Sequence, residues 1–128
     1  MFNEHTEIKF QNADTGVYLG SPAIIRLDNS DLVAAHDYFG RHAPRTFDDE
    51  YLLTTIYRSS DDGITWEPIT QIAHAFWSSL FKQNDSIYLF GVSEQWGSIV
   101  IRRSDDNGNT WTHPADCKSG LLFPASGD

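Results

Sequence analysis

The residues best equipped for chemistry crowd into one short stretch. His36-Asp37-Tyr38-Phe39-Gly40-Arg41-His42 continues to Asp48-Asp49-Glu50, a stretch that puts two imidazoles, two arginines and four carboxylates close together. Burial can raise the pKa of an aspartate until it protonates a leaving group, so Asp37, Asp48 and Asp49 are candidate general acids. A histidine near neutral pH can take or give a proton, which adds His36 and, further on, His74. Arg41 offers a planar donor fork for an anionic group. Tyr38, Trp77 and Trp96 supply flat apolar faces on which a sugar ring could stack, with interior packing the competing use of Trp77. The alternative for Asp48 and Asp49 is a solvated polar loop, and for the two histidines a hydrogen-bonded structural role. His5, His42 and His113 read as surface residues.

The elements that must position these groups are strands. No long stretch carries apolar residues at helical spacing. Short β-rich runs alternate with polar turns instead. Pro22 to Leu27 and Leu32 to Tyr38 flank the turn Asp28-Asn29-Ser30-Asp31. Tyr51 to Arg58 and Trp66 to Ile72 follow. The pattern restarts with Phe76 to Phe81, Ile87 to Val92, Ile99 to Arg103 and a short run opened by Trp111. Four short strands, repeated, are the layout of a propeller blade.

A repeated segment strengthens this reading. Ser59-Ser60-Asp61-Asp62-Gly63-Ile64-Thr65-Trp66 recurs as Ser104-Asp105-Asp106-Asn107-Gly108-Asn109-Thr110-Trp111, both S-x-D-x-G-x-T-W. Ser104 lies 45 residues after Ser59, and Trp111 45 after Trp66. Blades of four strands repeat at roughly 40–50 residues. The aspartate can accept backbone N–H groups across a turn, the glycine allows a positive φ, and the tryptophan can plug the space between blades. This set is a folding device, so a ligand role for Asp61 or Asp106 is the weaker reading.

These boxes resemble the Asp-boxes of the sialidase superfamily, the bacterial neuraminidase repeat proteins. Ser21 to Leu27, a polar turn and Asp31 to Ala35 also look like the first hairpin of those propellers, so the likeness runs from Tyr18 to Trp111. The resemblance implies an all-β, sialidase-like β-propeller of six or seven blades. The chain supplies about two blades and the start of a third: blade one about 18–72, blade two about 74–115. It therefore reads as the N-terminal part of a longer protein, or else as a short product that assembles with other copies.

The resemblance also implies a site on the top face near the central axis, where the second-to-third strand connections and the entries to each blade lie. Those segments are Tyr18 to Ser21, His36 to Glu50, His74 to Ser78 and Glu94 to Trp96. Sialidases hold the substrate carboxylate with the arginine of an F/Y-R-I-P motif and take the general acid from the first-blade loop. Their Tyr–Glu nucleophile and two more arginines come from later blades. Here Leu19-Gly20-Ser21-Pro22 places Gly20 where that arginine belongs.

The expected function is a sialidase-like glycoside hydrolase, an exo-acting glycosidase on acidic or sialylated glycans. His36, Asp37 and Asp48 are its catalytic candidates, and Tyr38, Arg41, His74, Trp77 and Trp96 would bind substrate. The alternatives are a propeller polysaccharide lyase using His36 or His74, and a non-catalytic carbohydrate-binding propeller. No cofactor is expected. No metal is expected either, since no ligand spacing such as H-E-x-x-H occurs. Nor is there a G-x-G-x-x-G or G-x-S-x-G motif.

Composition narrows the partners. Eighteen acidic against nine basic residues give a net charge of −9, which argues against nucleic acid and anionic membrane surfaces. No apolar run is long enough for a transmembrane helix. Met1 to Phe10 lacks a signal-peptide pattern, so the chain as written is expected in the cytoplasm unless it is a piece of a longer precursor. Cys117 is the one cysteine, so no intrachain disulfide can form.

Overall fold

A computed structural model describes residues 5–45 and 53–126. Asp48, Asp49 and Glu50 lie outside the described residues. The strands are β1 (Tyr18–Arg26), β2 (Leu32–Phe39), β3 (Leu53–Ser59), β4 (Glu67–Ala73), β5 (Phe76–Gln83), β6 (Ser86–Val92), β7 (Ile99–Ser104) and β8 (Leu121–Phe123). They form two antiparallel four-stranded sheets in simple meander order, β1 to β4 and β5 to β8. Among the described residues, one 3-10 turn, Ala13–Thr15, precedes them.

Stacking of the two sheets makes the core. Leu27, Val33, Ala35 and Ile56 of the first sheet meet Leu80, Ile87 and Leu89 of the second. The innermost strand β5 packs against β1, β2 and β3. Because β2 and β3 are central strands, covered on both faces, their residues are buried almost without alternation. Polar ties cross between blades: the Thr54 hydroxyl donates to the Ala75 carbonyl at 2.9 Å, and Lys82 pairs with Asp28.

Both boxes close the third hairpin corner of their blade with the same bonds. The Gly63 N–H donates to Ser59 Oγ at 2.8 Å, and the Thr65 N–H to Asp61 Oδ1 at 2.8 Å. In the second copy the Gly108 N–H reaches Ser104 Oγ at 2.9 Å, and the Thr110 N–H reaches Asp106 Oδ1 at 2.8 Å. These donors hold the Asp61 carboxyl down at about 2, the Thr65 hydroxyl and N–H contributing most. The turn itself is a pair of left-handed residues, Asp62-Gly63 (φ 62 and 87°) and Asn107-Gly108 (φ 62 and 96°). Asp-Gly and Asn-Gly favour such turns.

Two details differ from the sequence reading. Trp111 joins the interblade core, but Trp66 does not. Box two seats against Ile56 and Ile69 of blade one, whereas among the described residues box one has no preceding blade to plug. The fourth strand of blade two also lies further on than the run after Trp111, at Leu121–Phe123. Thr112 bonds back to Arg103 through its N–H and hydroxyl, and the chain then loops out through Asp116 before it pairs with β7.

Candidate functional site

The strand period of two decides which of the candidates can meet. Asp37 and Phe39 point to one side of β2, and His36 and Tyr38 to the other. On the Asp37 side a cleft of about 870 Å³ opens between the blades. Its walls include Asp37, Arg41, Trp77 and Trp96, together with Gly20, Phe39, Arg45 and Glu94. It thus unites four sequence-derived candidates drawn from β2, the β2–β3 loop, β5 and the β6–β7 loop.

Asp37 is the chemical centre of this cleft. Its side chain is only 2% exposed. Burial pushes its carboxyl above the ordinary aspartate value; bonds from the Trp77 N–H, its own backbone and Ser21 pull the other way. The Trp77 N–H donates to Asp37 Oδ2 at 2.8 Å, so the carboxylate of blade one is fixed by the backbone of blade two.

Matching irregularities in the two innermost strands make that contact. The register shifts between Gly20 and Ala23 in β1 and between Phe76 and Ser79 in β5. Within the shifts Ser21 (φ 48°) and Trp77 (φ 49°) take left-handed conformations. Such bulges re-aim side chains and backbone donors. Here they turn Ser21 and the Trp77 N–H toward Asp37.

Gly20 pairs with Asp37 across the strands. A Cβ there would stand 3.1 Å from the Phe39 ring, which also packs on Tyr18 with centroids 5.3 Å apart. A side chain at position 20 would therefore meet the Phe39 ring. The cationic walls come instead from Arg41 and Arg45, on the β2–β3 connection of residues 40–52. The corresponding connection in blade two is shorter, residues 93–98.

The other candidates lie elsewhere. His36 and Tyr57 line a separate, largely apolar cavity of about 560 Å³ with Ile8, Lys9, Pro22 and Ile24. The Tyr57 hydroxyl donates to His36 Nε2 at 2.9 Å and His36 Nδ1 donates to the Asp37 carbonyl at 3.2 Å. Burial lowers the His36 pKa and raises that of Tyr57, so the pair is held neutral. Tyr38 is buried with Val17, Ala43 and Leu53, its ring edge-on to His36, which leaves no open face for stacking. His74 is exposed at the β4–β5 corner and contributes its carbonyl to Arg102 at 3.1 Å.

Phe39 and Arg102 were missed by sequence reasoning, and Arg45 was counted in the loop without a role. Phe39 had a signal, two residues from Asp37 on the same strand face. Arg102 had one too, between inward-facing Val100 and Ser104. It is buried, its pKa lowered by desolvation to about 10, and it clasps the Ala73 and His74 carbonyls at the blade junction.

No protein-family model matches the chain, and a search of curated proteins finds no match. Solved structures do match. Penicillium chrysogenum alpha-L-arabinanase, complexed with arabinobiose, aligns at 23% identity with a TM-score of 0.56, over 78% of this chain and 31% of the arabinanase. The alpha-L-arabinofuranosidase of Fusarium graminearum, also with arabinobiose, aligns at 17% identity and 0.54, over 77% and 30%. Trypanosoma rangeli sialidase aligns at 20% identity and 0.51, over 66% and 12%. The chain spans under a third of the length of each. The fold is thus that of a sialidase-like β-propeller. More particularly, it is the fold shared by this arabinanase, this arabinofuranosidase and this sialidase.

Proposed function

We propose that this chain forms part of the active site of an exo-acting glycoside hydrolase for acidic glycans, with Asp37 as the proton donor to the leaving oxygen. The observation that carries this is the buried carboxylate in the interblade cleft. It is desolvated enough to hold a proton above the usual aspartate range, and Trp77 fixes its orientation. Arg41 would engage the anionic group of the terminal sugar, in place of an arginine at Gly20. Likeness in fold to an arabinanase complexed with arabinobiose and to a sialidase supports carbohydrate as the substrate class. The lyase alternative rests on His36, whose neutral pairing with Tyr57 and separate cavity suit a structural role better.

The test is the protein expressed from its complete reading frame, assayed on sialosides, arabinofuranosides, rhamnosides and uronic acid polysaccharides. Release of a reducing sugar from an acidic glycoside, abolished in Asp37→Asn, is the expected result. An unsaturated uronate product would replace the hydrolase with a lyase. Glycan binding without turnover would leave a non-catalytic propeller.

A further inference from the structure

The cleft carries an aromatic ledge beside Asp37. Trp96 is the most exposed large apolar side chain among the described residues, 82% exposed, and Trp77 is 46% exposed. Their rings meet edge to face with centroids 5.9 Å apart. This arrangement leaves the broad face of Trp96 open, with Trp77 buttressing it.

Neither side chain is a loose surface residue. Trp96 sits in a tight loop closed by the Gly97 N–H on the Glu94 carbonyl at 2.8 Å and the Ser93 N–H on the Ser98 carbonyl at 2.9 Å. The Trp77 backbone is pinned to Asp37. Both tryptophans adopt left-handed φ, 49° for Trp77 and 62° for Trp96, which bulky residues rarely accept. Among the described residues, the fold therefore holds two large, uncovered apolar rings at a fixed position relative to a buried carboxylate, with Glu94 and Gln95 beside them in the cleft wall.

We infer that the Trp96–Trp77 ledge is a second sugar subsite. It would stack the apolar C–H face of the ring next to the one whose bond Asp37 protonates, while Glu94 and Gln95 bond that ring's hydroxyls. Flat, rigid aromatics with polar neighbours suit a ring that is apolar on its face and polar at its rim. The inference rests on the hydrolase reading and specifies its substrate: a disaccharide or longer glycan, in preference to a single sugar on a small leaving group.

Calorimetric titration of the full-length Asp37→Asn protein tests the ledge without turnover. The probes are the disaccharide N-acetylneuraminyl-α2,3-galactose against N-acetylneuraminic acid, and arabinobiose against arabinose. At least one disaccharide should bind, with Trp96→Ala weakening it tenfold or more and Trp96→Phe by less. The matching monosaccharide should change by under threefold. Equal weakening of both sugars, unchanged disaccharide affinity in Trp96→Ala, or no binding of any probe to the parent protein would overturn the inference. Disaccharide binding through Trp96 with no sugar released by the protein that retains Asp37 would keep the ledge and remove the hydrolase. Hydrolysis indifferent to Trp96 would do the reverse.

Discussion

Asp37 and His36 adjoin in sequence, and β2 sends them to opposite faces of the blade. The consequence for Asp37 can be worked through in sign. Its folded pKa is raised by burial, so its contribution to stability is present at acidic pH and is lost as pH rises through that pKa. Asp37→Asn keeps an oxygen for the Trp77 N–H and cannot ionise. Thermal denaturation should find this variant at least as stable as the parent at pH 7, with the advantage shrinking toward pH 3. Its kcat/KM should fall by about 10²–10⁴. The parent kcat/KM should decline as pH rises through the shifted pKa, and the variant should lose that limb. A variant with parental kcat/KM would remove Asp37 as proton donor. The sequence marked Asp37 as a residue of interest but could not separate it from His36. With both faces of β2 buried, no polar–apolar alternation labels the cleft side. That label comes from the bulges at Ser21 and Trp77, and neither Ser nor Trp announces a left-handed backbone.

At the scale of elements, the boxes were the most legible part of the chain, because their bonds are local and demand particular residues. A serine, an aspartate and a glycine at fixed offsets satisfy one turn wherever it occurs. What surrounds each turn is not local, and this separates the two copies. A side chain at Gly63 would face solvent-side Leu32 and Trp66, with Leu32 3.4 Å from the added Cβ. A Cβ at Gly108 would touch Ile69, Ile56 and Ile87 at 3.4–3.5 Å, in the seam between the blades, leaving no room for the two further methyls of a valine. Valine at either position must hold a left-handed φ, costing about 1–2 kcal/mol. At Gly108 overpacking adds about 1–3 kcal/mol. Urea denaturation should therefore find Gly108→Val clearly less stable than Gly63→Val. Equal losses would mean that box two does not seat in the interblade core. The same distinction explains why Trp66 and Trp111, identical in the sequence pattern, differ in packing.

For the molecule as a whole, the question is whether two blades behave as one cooperative unit. The interface is apolar at its centre and tied by Thr54, Arg102 and the Trp77–Asp37 bond around it. Ile56 is the sharpest probe. It lies on β3 of blade one with no exposed surface, yet contacts the core residues of blade two and the second box. Ile56→Ala removes buried methylenes and leaves a cavity between two sheets whose strands are fixed by their own ladders, so the gap cannot close fully. The expected cost is about 2–5 kcal/mol. If the sheets are coupled, this loss must appear in both. In a protein whose Trp66, Trp77 and Trp96 are replaced by phenylalanine, the fluorescence of Trp111, held in blade two, should then melt together with the far-ultraviolet circular dichroism of the whole chain, and both should shift down by the same amount. Independent blades would instead give a Trp111 transition that ignores a mutation in blade one. A single shifted transition carries a consequence for the site, because Asp37 and the backbone that orients it belong to different blades: the cleft exists only while the interface does.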